Sequence, residues 1–312
     1  MDVSIVIVSY NARELLRRSL ASVLWARRPR VTVECLVIDN ASRDGSADLV
    51  EREFGAVRLL RNSLNLGFAT AVNQGLREAR GRYVLLLNPD AELLGDALAE
   101  LVRFMDERRR AGACAPRLLG ADGRSQPQAD GFPAPLDPLL AMVRRLRSRG
   151  GRAATAAGPA HGLPCRRRTL SGACLLLRKT ALEAVGPLDE SFFLYFEETD
   201  LLRRLAGAGW EAWHVPAATA LHVGGGSLGA ARAEGVFHGN HPVHWVRSRR
   251  RYMRKHHGPG GLVLSELAEV ASHALVWLRH RFRGSHEARE RARASALSLR
   301  HLFRAPRLER TS

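Results

Sequence analysis

Two groups of side chains about a hundred residues apart carry the most readable chemistry in this chain. The run Tyr83-Val84-Leu85-Leu86-Leu87 is apolar throughout, the pattern of a strand buried on both faces, and it stops at Asn88-Pro89-Asp90. Proline lacks the N–H that would continue a ladder, so a carboxylate is left at the strand's carboxyl end. Mg²⁺ or Mn²⁺ can bridge such an acid to a diphosphate, because Mg²⁺ sites commonly combine one or two carboxylates with substrate phosphates. An ordinary turn has the same composition. The second group, Glu197-Glu198-Thr199-Asp200, follows the aromatic run Phe192-Phe193-Leu194-Tyr195-Phe196. Like charges this close raise at least one pKa, which suits general-base work. A helix N-terminus also attracts acids, but that accounts for neither three of them nor the aromatic lead-in. His222, in Leu221-His222-Val223-Gly224-Gly225-Gly226, ends an apolar run before a glycine-rich stretch, a setting suited to a metal ligand as well as to a structural histidine.

Three weaker motifs precede these. Ser9-Tyr10-Asn11 closes the first apolar run: Tyr10 can stack on a base and Asn11 can support a ribose, or the segment is a plain strand end. Asp39, in Asp39-Asn40-Ala41-Ser42-Arg43-Asp44-Gly45-Ser46, lies where an acid in an α/β unit commonly meets a nucleoside, and it can accept the N3–H of a pyrimidine. An Asx turn with a helix cap at Ser46 explains the same residues equally well. Asn65-Leu66-Gly67-Phe68, running on to Asn73, combines a glycine turn with a helix start whose N–H groups attract phosphate.

The elements that must position these residues alternate in type. Val3 to Val8, Val33 to Ile38, Val57 to Leu60 and Tyr83 to Leu87 read as strands, and Arg13 to Trp25 and Gly67 to Arg80 as helices. Strands apolar on both faces and alternating with helices predict an α/β fold with a mostly parallel central sheet flanked by helices, whose ligands gather beyond the strands' carboxyl ends. Residues 122–168, rich in Pro, Gly, Ala and Arg, read as a mobile insertion. Beyond them, Thr180 to Val185 and Thr199 to Ala208 read as helices, and Trp210 to Val215 and Thr219 to His222 as two short strands. Residues 236–312 read as a basic helical extension. Within it Leu262 to Leu278 places Ser265, Glu266, Glu269, Ser272 and His273 on one stripe and Leu, Val and Ala on the other. Such a helix suits a membrane interface or, more commonly, docks on its own domain.

Across 312 residues the formal net charge is +17, and only Lys179 and Lys255 are lysines, so arginine supplies almost all of the excess. That surplus favours polyanionic partners: nucleic acid, anionic lipid or phosphate-bearing substrates. The arginines fall in loops without aromatic interleaving or a nucleic-acid-binding motif, which argues against nucleic acid. Four cysteines without metal or disulfide spacing point to a reducing compartment, with Cys35 and Cys174 as small core residues. With no secretory pattern at the start and no unbroken apolar stretch of spanning length, the expected location is cytoplasmic, with membrane contact peripheral and on the inner face.

In this order and spacing the motifs, with Ser171-Gly172-Ala173 and Gly186-Pro187-Leu188-Asp189-Glu190-Ser191-Phe192-Phe193 between them, resemble the family 2 glycosyltransferases of GT-A fold, in particular their rhamnosyltransferase-like branch. The likeness runs from Val3 to about His257 and implies a catalytic domain over 1–235, with a nucleotide-binding half (1–115) and an acceptor half (169–235). It implies inverting transfer from a nucleotide-diphospho-sugar, dTDP-rhamnose or a UDP-sugar, to a glycan or lipid-linked acceptor in cell-surface polysaccharide synthesis, assisted by Mg²⁺ or Mn²⁺. A nucleotide-sugar binder without catalysis is the alternative. Asp39 would read the base, with Ser9, Tyr10, Asn11, Ser42, Asn65, Gly67, Asn73 and Asn88 completing the nucleotide site. Asp90 and His222 would hold the metal. Asn88 departs from the family's D-x-D pattern, which removes one charged ligand. Glu198 stands where the family has its catalytic base, Glu in place of Asp, with Asp200 as the fallback. Gly172, Ala173, Asp189 and Glu197 would lie beside the donor sugar and acceptor.

Overall fold

A computed structural model describes residues 1–25, 31–127, 131–147, 162–224, 237–238 and 241–281. The chain divides into two compact units, Met1–Phe132 with Ala156–Ala230, and Pro133–Thr155 with Ala231–Ser312.

The first unit is built on a sheet whose strands, among the described residues, run in the order β3-β2-β1-β4-β8-β6-β9-β5, with β7 paired to β9. The expected parallel arrangement extends over β1 (Val3–Ser9), β2 (Val33–Asp39), β3 (Arg58–Arg61) and β4 (Tyr83–Leu87). Past β4 the sheet is mixed: β8 (Cys174–Arg178) runs antiparallel to β4 and to β6 (Ala111–Leu119), β9 (Glu211–His222) runs parallel to β6, and β5 (Ala91–Leu94) and β7 (Cys165–Arg167) run antiparallel to β9.

Alternation along β1 explains the layers. Val3, Ile5 and Ile7 face one core, with Leu16 and Leu20 of α1 (Arg13–Trp25), Leu49 and Val50 of α2 (Ser46–Glu53), and Leu98, Leu101 and Met105 of α4 (Ala97–Glu107). Val6 and Val8 face the other core, with Ala69 and Val72 of α3 (Phe68–Glu78), Leu182 of α6 (Lys179–Val185), and Leu201, Leu202 and Leu205 of α7 (Glu197–Gly207). Cys35 and Cys174 are buried in the first core.

Three elements differ from the sequence expectation. Residues 211–222 form one strand rather than two, because β6 on one side and β5 with β7 on the other pair along its length. Helix α7 starts two residues earlier than Thr199, so Glu197 and Glu198 occupy its first turn. The stretch 122–168 is not wholly loop: α5 (Asp137–Arg147) forms in it and belongs to the second unit, where it packs on α8 (Val243–Arg281). Leu139, Met142, Val143 and Leu146 give α5 the helical spacing that the surrounding arginines obscure. Residues 148–161 of that stretch, and Arg283 with the rest of the tail, lie outside the described residues.

Helix α3 crosses the sheet at its single mid-helix glycine. A Cβ on Gly75 would stand 2.5 Å from Val6 Cγ1 and 3.0 Å from Ile38 Cδ1. Alanine improves helix propensity by about 1 kcal/mol, but forcing a stiff buried valine aside costs about 1–3 kcal/mol. Gly75→Ala is therefore expected to lower the urea unfolding midpoint rather than raise it.

Candidate active site

The carboxyl edge of the parallel strands gathers the first set of residues. Register pairs Ser9 with Asp39. The chain then turns through Asn11 and Ala41, both at positive φ (50° and 67°); two hydrogen bonds tie the two turns together and a third closes the second turn. Asn11 N–H donates to Ser42 Oγ (3.0 Å), Arg43 N–H to Asn11 Oδ1 (2.8 Å), and Ser42 N–H to Asp39 Oδ2 (3.0 Å). Asp39 is thus the Asx turn the sequence allowed, but only through one oxygen. Its Oδ1 and the Ser9 Oγ are both buried without a hydrogen-bond partner. A buried acceptor left over in this way fits a ligand donor. Tyr10 is half-buried beside them.

The glycine turn has a different task. Asn65 Oδ1 accepts from Gly67 N–H (3.0 Å) and from Asn40 Nδ2 (2.7 Å), within an amide network that also includes Asn62 and Gln74. Phe68 N–H donates to the carbonyl of Phe193 (2.6 Å), and a Cβ on Gly67 would lie 2.7 Å from that same oxygen. Asn73, buried on α3, exchanges hydrogen bonds with the Leu188 backbone (2.8 and 3.1 Å) and donates to Glu190. Asn65, Gly67 and Asn73 therefore hold the segment 188–193 in place.

That segment delivers the second set. Asp189 Oδ1 accepts from the N–H (3.0 Å) and hydroxyl of Ser191, turning the chain into the aromatic run. Tyr195 and Phe196 both take φ 70°, a conformation costly for bulky residues, and their turn opens α7. The three acids then diverge. Asp200 is fully buried and paired with Arg204 (2.9 Å), whose guanidinium also binds the carbonyls of Val185, Gly186 and Pro187. One helical turn places it on the core side of α7, so it is an anchor and not an available base. Glu197 is buried, and its Oε2 has no hydrogen-bond partner. Burial, and then the neighbouring Glu198, push its pKa well up. Burial also raises Glu198, but helix N–H groups of Glu198 and Thr199, the Thr199 hydroxyl and the Glu197 acid favour its charged form. Of the two acids Glu197 is the more strongly raised, and Glu198 keeps a partly open face. Gly172 lies against it: a Cβ there would be 3.4 Å from Glu198 Cγ.

Strand β8 joins the two sets. Leu87 pairs with Cys174, and Asn88 N–H donates to the Ala173 carbonyl (2.9 Å), so Gly172-Ala173 connects the Asn88-Pro89-Asp90 turn to Glu198. Strand β5 folds back so that Ala91 pairs with His222. Asp90, nearly buried, has its Oδ1 3.5 Å from His222 Nε2. Two donors about 2.1 Å from one octahedral ion stand about 3 Å apart, so this pair fits a shared Mg²⁺ or Mn²⁺ after a small adjustment. Among the described residues no three His, Cys, Asp or Glu side chains cluster to hold a cation unaided. Any ion here must take its remaining ligands from substrate and water.

Gln126 is the member of the site that carries no motif. Its Nε2 donates to the His222 carbonyl (2.7 Å), which leaves Oε1 to accept from His222 Nδ1–H (3.0 Å). This orients the ring from behind, with Nε2 turned toward Asp90. Only the short hairpin at Leu119 and Ser125 brings Gln126 there.

The sequence profile of "Glycosyl transferase family 2" matches residues 4–184. Over 245 residues the chain is 34% identical to the N-acetylglucosaminyl-diphospho-decaprenol L-rhamnosyltransferase of Mycobacterium tuberculosis, covering 70% of this chain and 75% of that protein. The chain is a family 2 glycosyltransferase. This transferase is also 26% identical to the low-salt glycan biosynthesis hexosyltransferase Agl10 of Haloferax volcanii, over 65% of this chain and 61% of that one. Its fold is shared with a mannosyltransferase of Pyrobaculum calidifontis solved with GDP-Man and Mn²⁺ (TM-score 0.54, 18% identity, 95% of this chain and 84% of that one). It is shared too with GalNAc-T7 solved with UDP, GalNAc and Mn²⁺ (TM-score 0.54, 19% identity, 71% of this chain and 44% of that one). The GT-A architecture of the transferase is thereby established.

A cavity of about 630 Å³ lies elsewhere, lined by Arg110, Arg166, Arg167, Arg168 and Trp210 at the Glu211 end of β9. His222 closes the opposite end of that strand, so this cavity is not part of the site.

Loss of a hydrogen bond behind a metal-binding histidine typically weakens the metal about 10–100-fold. Gln126→Ala should weaken Mn²⁺ binding within that range, read by electron paramagnetic resonance in the presence of UDP. Glu in place of Gln126 should retain most of the affinity, because it still accepts from Nδ1–H.

Proposed function

We propose that the transferase moves a sugar, with inversion, from a pyrimidine nucleotide-diphospho-sugar, dTDP-rhamnose or a UDP-sugar, to a glycan or lipid-diphosphate-linked acceptor in cell-surface polysaccharide synthesis at the cytoplasmic face. The observation that carries this reading is the Gly172-Ala173 link: Ala173 bonds Asn88, two residues before the Asp90 that faces His222, and Gly172 lies against Glu198. The 34% identity to a rhamnosyltransferase supports a deoxyhexose donor and a lipid-linked acceptor. The catalytic domain we assign is 1–235, with 236–312 as an extension.

Asp39 Oδ1 accepts the N3–H of the base, an edge that uracil and thymine share, while Ser9, Tyr10, Asn11 and Ser42 line the nucleoside. Asp90 and His222 hold Mg²⁺ or Mn²⁺, which when bound neutralises charge on the departing diphosphate. Asn88 fixes the turn that presents Asp90. Gly172, Ala173 and Asp189 border the donor sugar and acceptor. Glu198 takes the proton of the acceptor hydroxyl as its oxygen attacks the anomeric carbon from the face opposite the diphosphate. Glu197 stays protonated and keeps a second negative charge away from the incoming hydroxyl.

Nucleotide release from UDP-, dTDP- and GDP-sugars, with and without Mn²⁺, against a lipid extract as acceptor tests the assignment. Release confined to one pyrimidine donor and dependent on metal is expected; release from GDP-sugars alone would refute the role of Asp39. General-base catalysis contributes about 10²–10⁴ in rate. Glu198→Gln should lose turnover in that range while donor KM stays nearly constant.

Glu197→Gln should keep most of its activity, because the neutral amide stands in for the protonated acid. It also has a stability signature. A carboxyl whose folded pKa lies above its unfolded value stabilises the fold below the ordinary carboxylate range and loses that contribution as pH rises through the folded value. The Gln variant is spared that loss. Its urea midpoint relative to wild type should therefore be higher around pH 8 than around pH 4.

A further inference from the structure

The second unit carries a helix whose faces are reversed. Helix α8 is broken at Gly258 (φ 70°, ψ −178°). Arg249 and Ser265 are 16 residues apart and would stand about 24 Å apart on a straight helix, yet Arg249 Nη1 donates to Ser265 Oγ at 2.7 Å. The later segment is therefore folded back on the earlier one. Its polar stripe faces inward: Glu266 pairs with Arg249 (2.8 Å) and Arg250 (2.6 Å), and Glu269 lies 3.5 Å from Arg249 and 3.3 Å from His273. Ser265 is fully buried, and the Arg249 side chain is 5% exposed. The outward arc consists of Val263, Leu264, Leu267, Leu275 and Leu278, all exposed. In the same unit Leu140 of α5 and Leu136, just before that helix, are also exposed. These seven are the majority of the twelve large apolar side chains exposed among the described residues.

We propose that this apolar arc beds into the headgroup region of an anionic lipid bilayer, with the helix lying in the membrane plane. Charge selects the occupant. Arg251, Arg254 and Lys255 are exposed on the preceding segment, and Arg279 and Arg281 end the helix, in a chain of net charge +17. An anionic surface complements both the apolar arc and its basic surroundings, whereas a second copy of so cationic a chain is repelled. The segment contains a window apolar enough by composition to cross a membrane. Crossing would carry the Glu266 and Glu269 ion pairs into hydrocarbon, so the in-plane orientation is favoured. The proposal is independent of the transfer chemistry.

Vesicle flotation tests it on the full chain, with phosphatidylcholine alone and with phosphatidylcholine plus phosphatidylglycerol. Wild type should float with the anionic vesicles, and Leu264→Glu/Leu267→Glu should float about tenfold less, while Leu163→Glu, exposed in the other unit, behaves as wild type. A milder pair, Leu264→Ser/Leu267→Ser, should give an intermediate loss, and circular dichroism checks that each variant is folded. Nucleotide release in detergent-solubilised acceptor should be unchanged, which separates this result from failure of the transferase reading. Equal flotation of wild type and the Glu variant, or none by wild type, overturns the proposal. So does a dimer in light scattering that the Glu variant dissolves without any vesicle binding, which would assign the arc to a second copy. Retention of wild type in bacterial membranes through alkaline carbonate would overturn the in-plane orientation.

Discussion

The antiparallel pairing of β4 with β8 is the constraint on which the site depends. A purely parallel sheet would leave the nucleotide-side loops along one edge with nothing opposite them. Reversing one strand beside β4 makes the chain enter the sheet at Ala173, next to the point where β4 leaves it at Asn88. The two connections that carry chemistry are thereby forced into contact by backbone hydrogen bonds alone. Because side chains alternate along a strand, a one-residue slip in this register would turn Gly172 away from Glu198 and bury a different set of residues against α6 and α7. Few substitutions could alter the geometry there without altering the core.

Around that junction the protein disposes of negative charge selectively. Asp200 is paired with Arg204, and burial, then the neighbouring Glu198, pushes the Glu197 pKa well up. Asp90 faces a histidine whose ring is oriented from behind by Gln126. Glu198 keeps a partly open side. Three acids within four residues thus have three distinct settings: ion-paired, buried and partly open.

Much of this was legible in sequence because it depends on local pattern. Strands apolar on both faces identified the layered α/β fold, and strand-end motifs marked the edge where Asp39, Asp90 and His222 gather. The parts that were not legible depend on distant partners. In sequence Asp39 reads equally as an Asx turn or a nucleoside contact; the structure shows the turn, made through one oxygen, and leaves the other buried without a partner. Asn73 looked like part of a phosphate-binding helix start, but its amide is committed to Leu188, 115 residues away. Asp200 reads in sequence as the fallback for Glu198, but the helix phase turns it toward Arg204. Gln126 sits in a stretch with no periodicity, and only its reach to His222 gives it meaning. The amphipathic stripe after Leu262 was evident, but which side faced inward depended on Arg249 and Arg250, earlier in the same helix.

The consecutive left-handed residues Tyr195 and Phe196 bear on how this enzyme trades robustness for readiness. Neither is glycine, and each such conformation costs about 1–3 kcal/mol that packing elsewhere must offset. A glycine at either position would relieve the strain, yet it would also let the entry to α7 sample other paths and so loosen the aim of the acid two or three residues on. The chain enters this bulky pair just after Phe193, whose carbonyl accepts from Phe68 N–H. Rigidity at the start of α7 is maintained at the expense of the global stability margin, so homologues adapted to heat would be expected to reinforce this corner before they relax it.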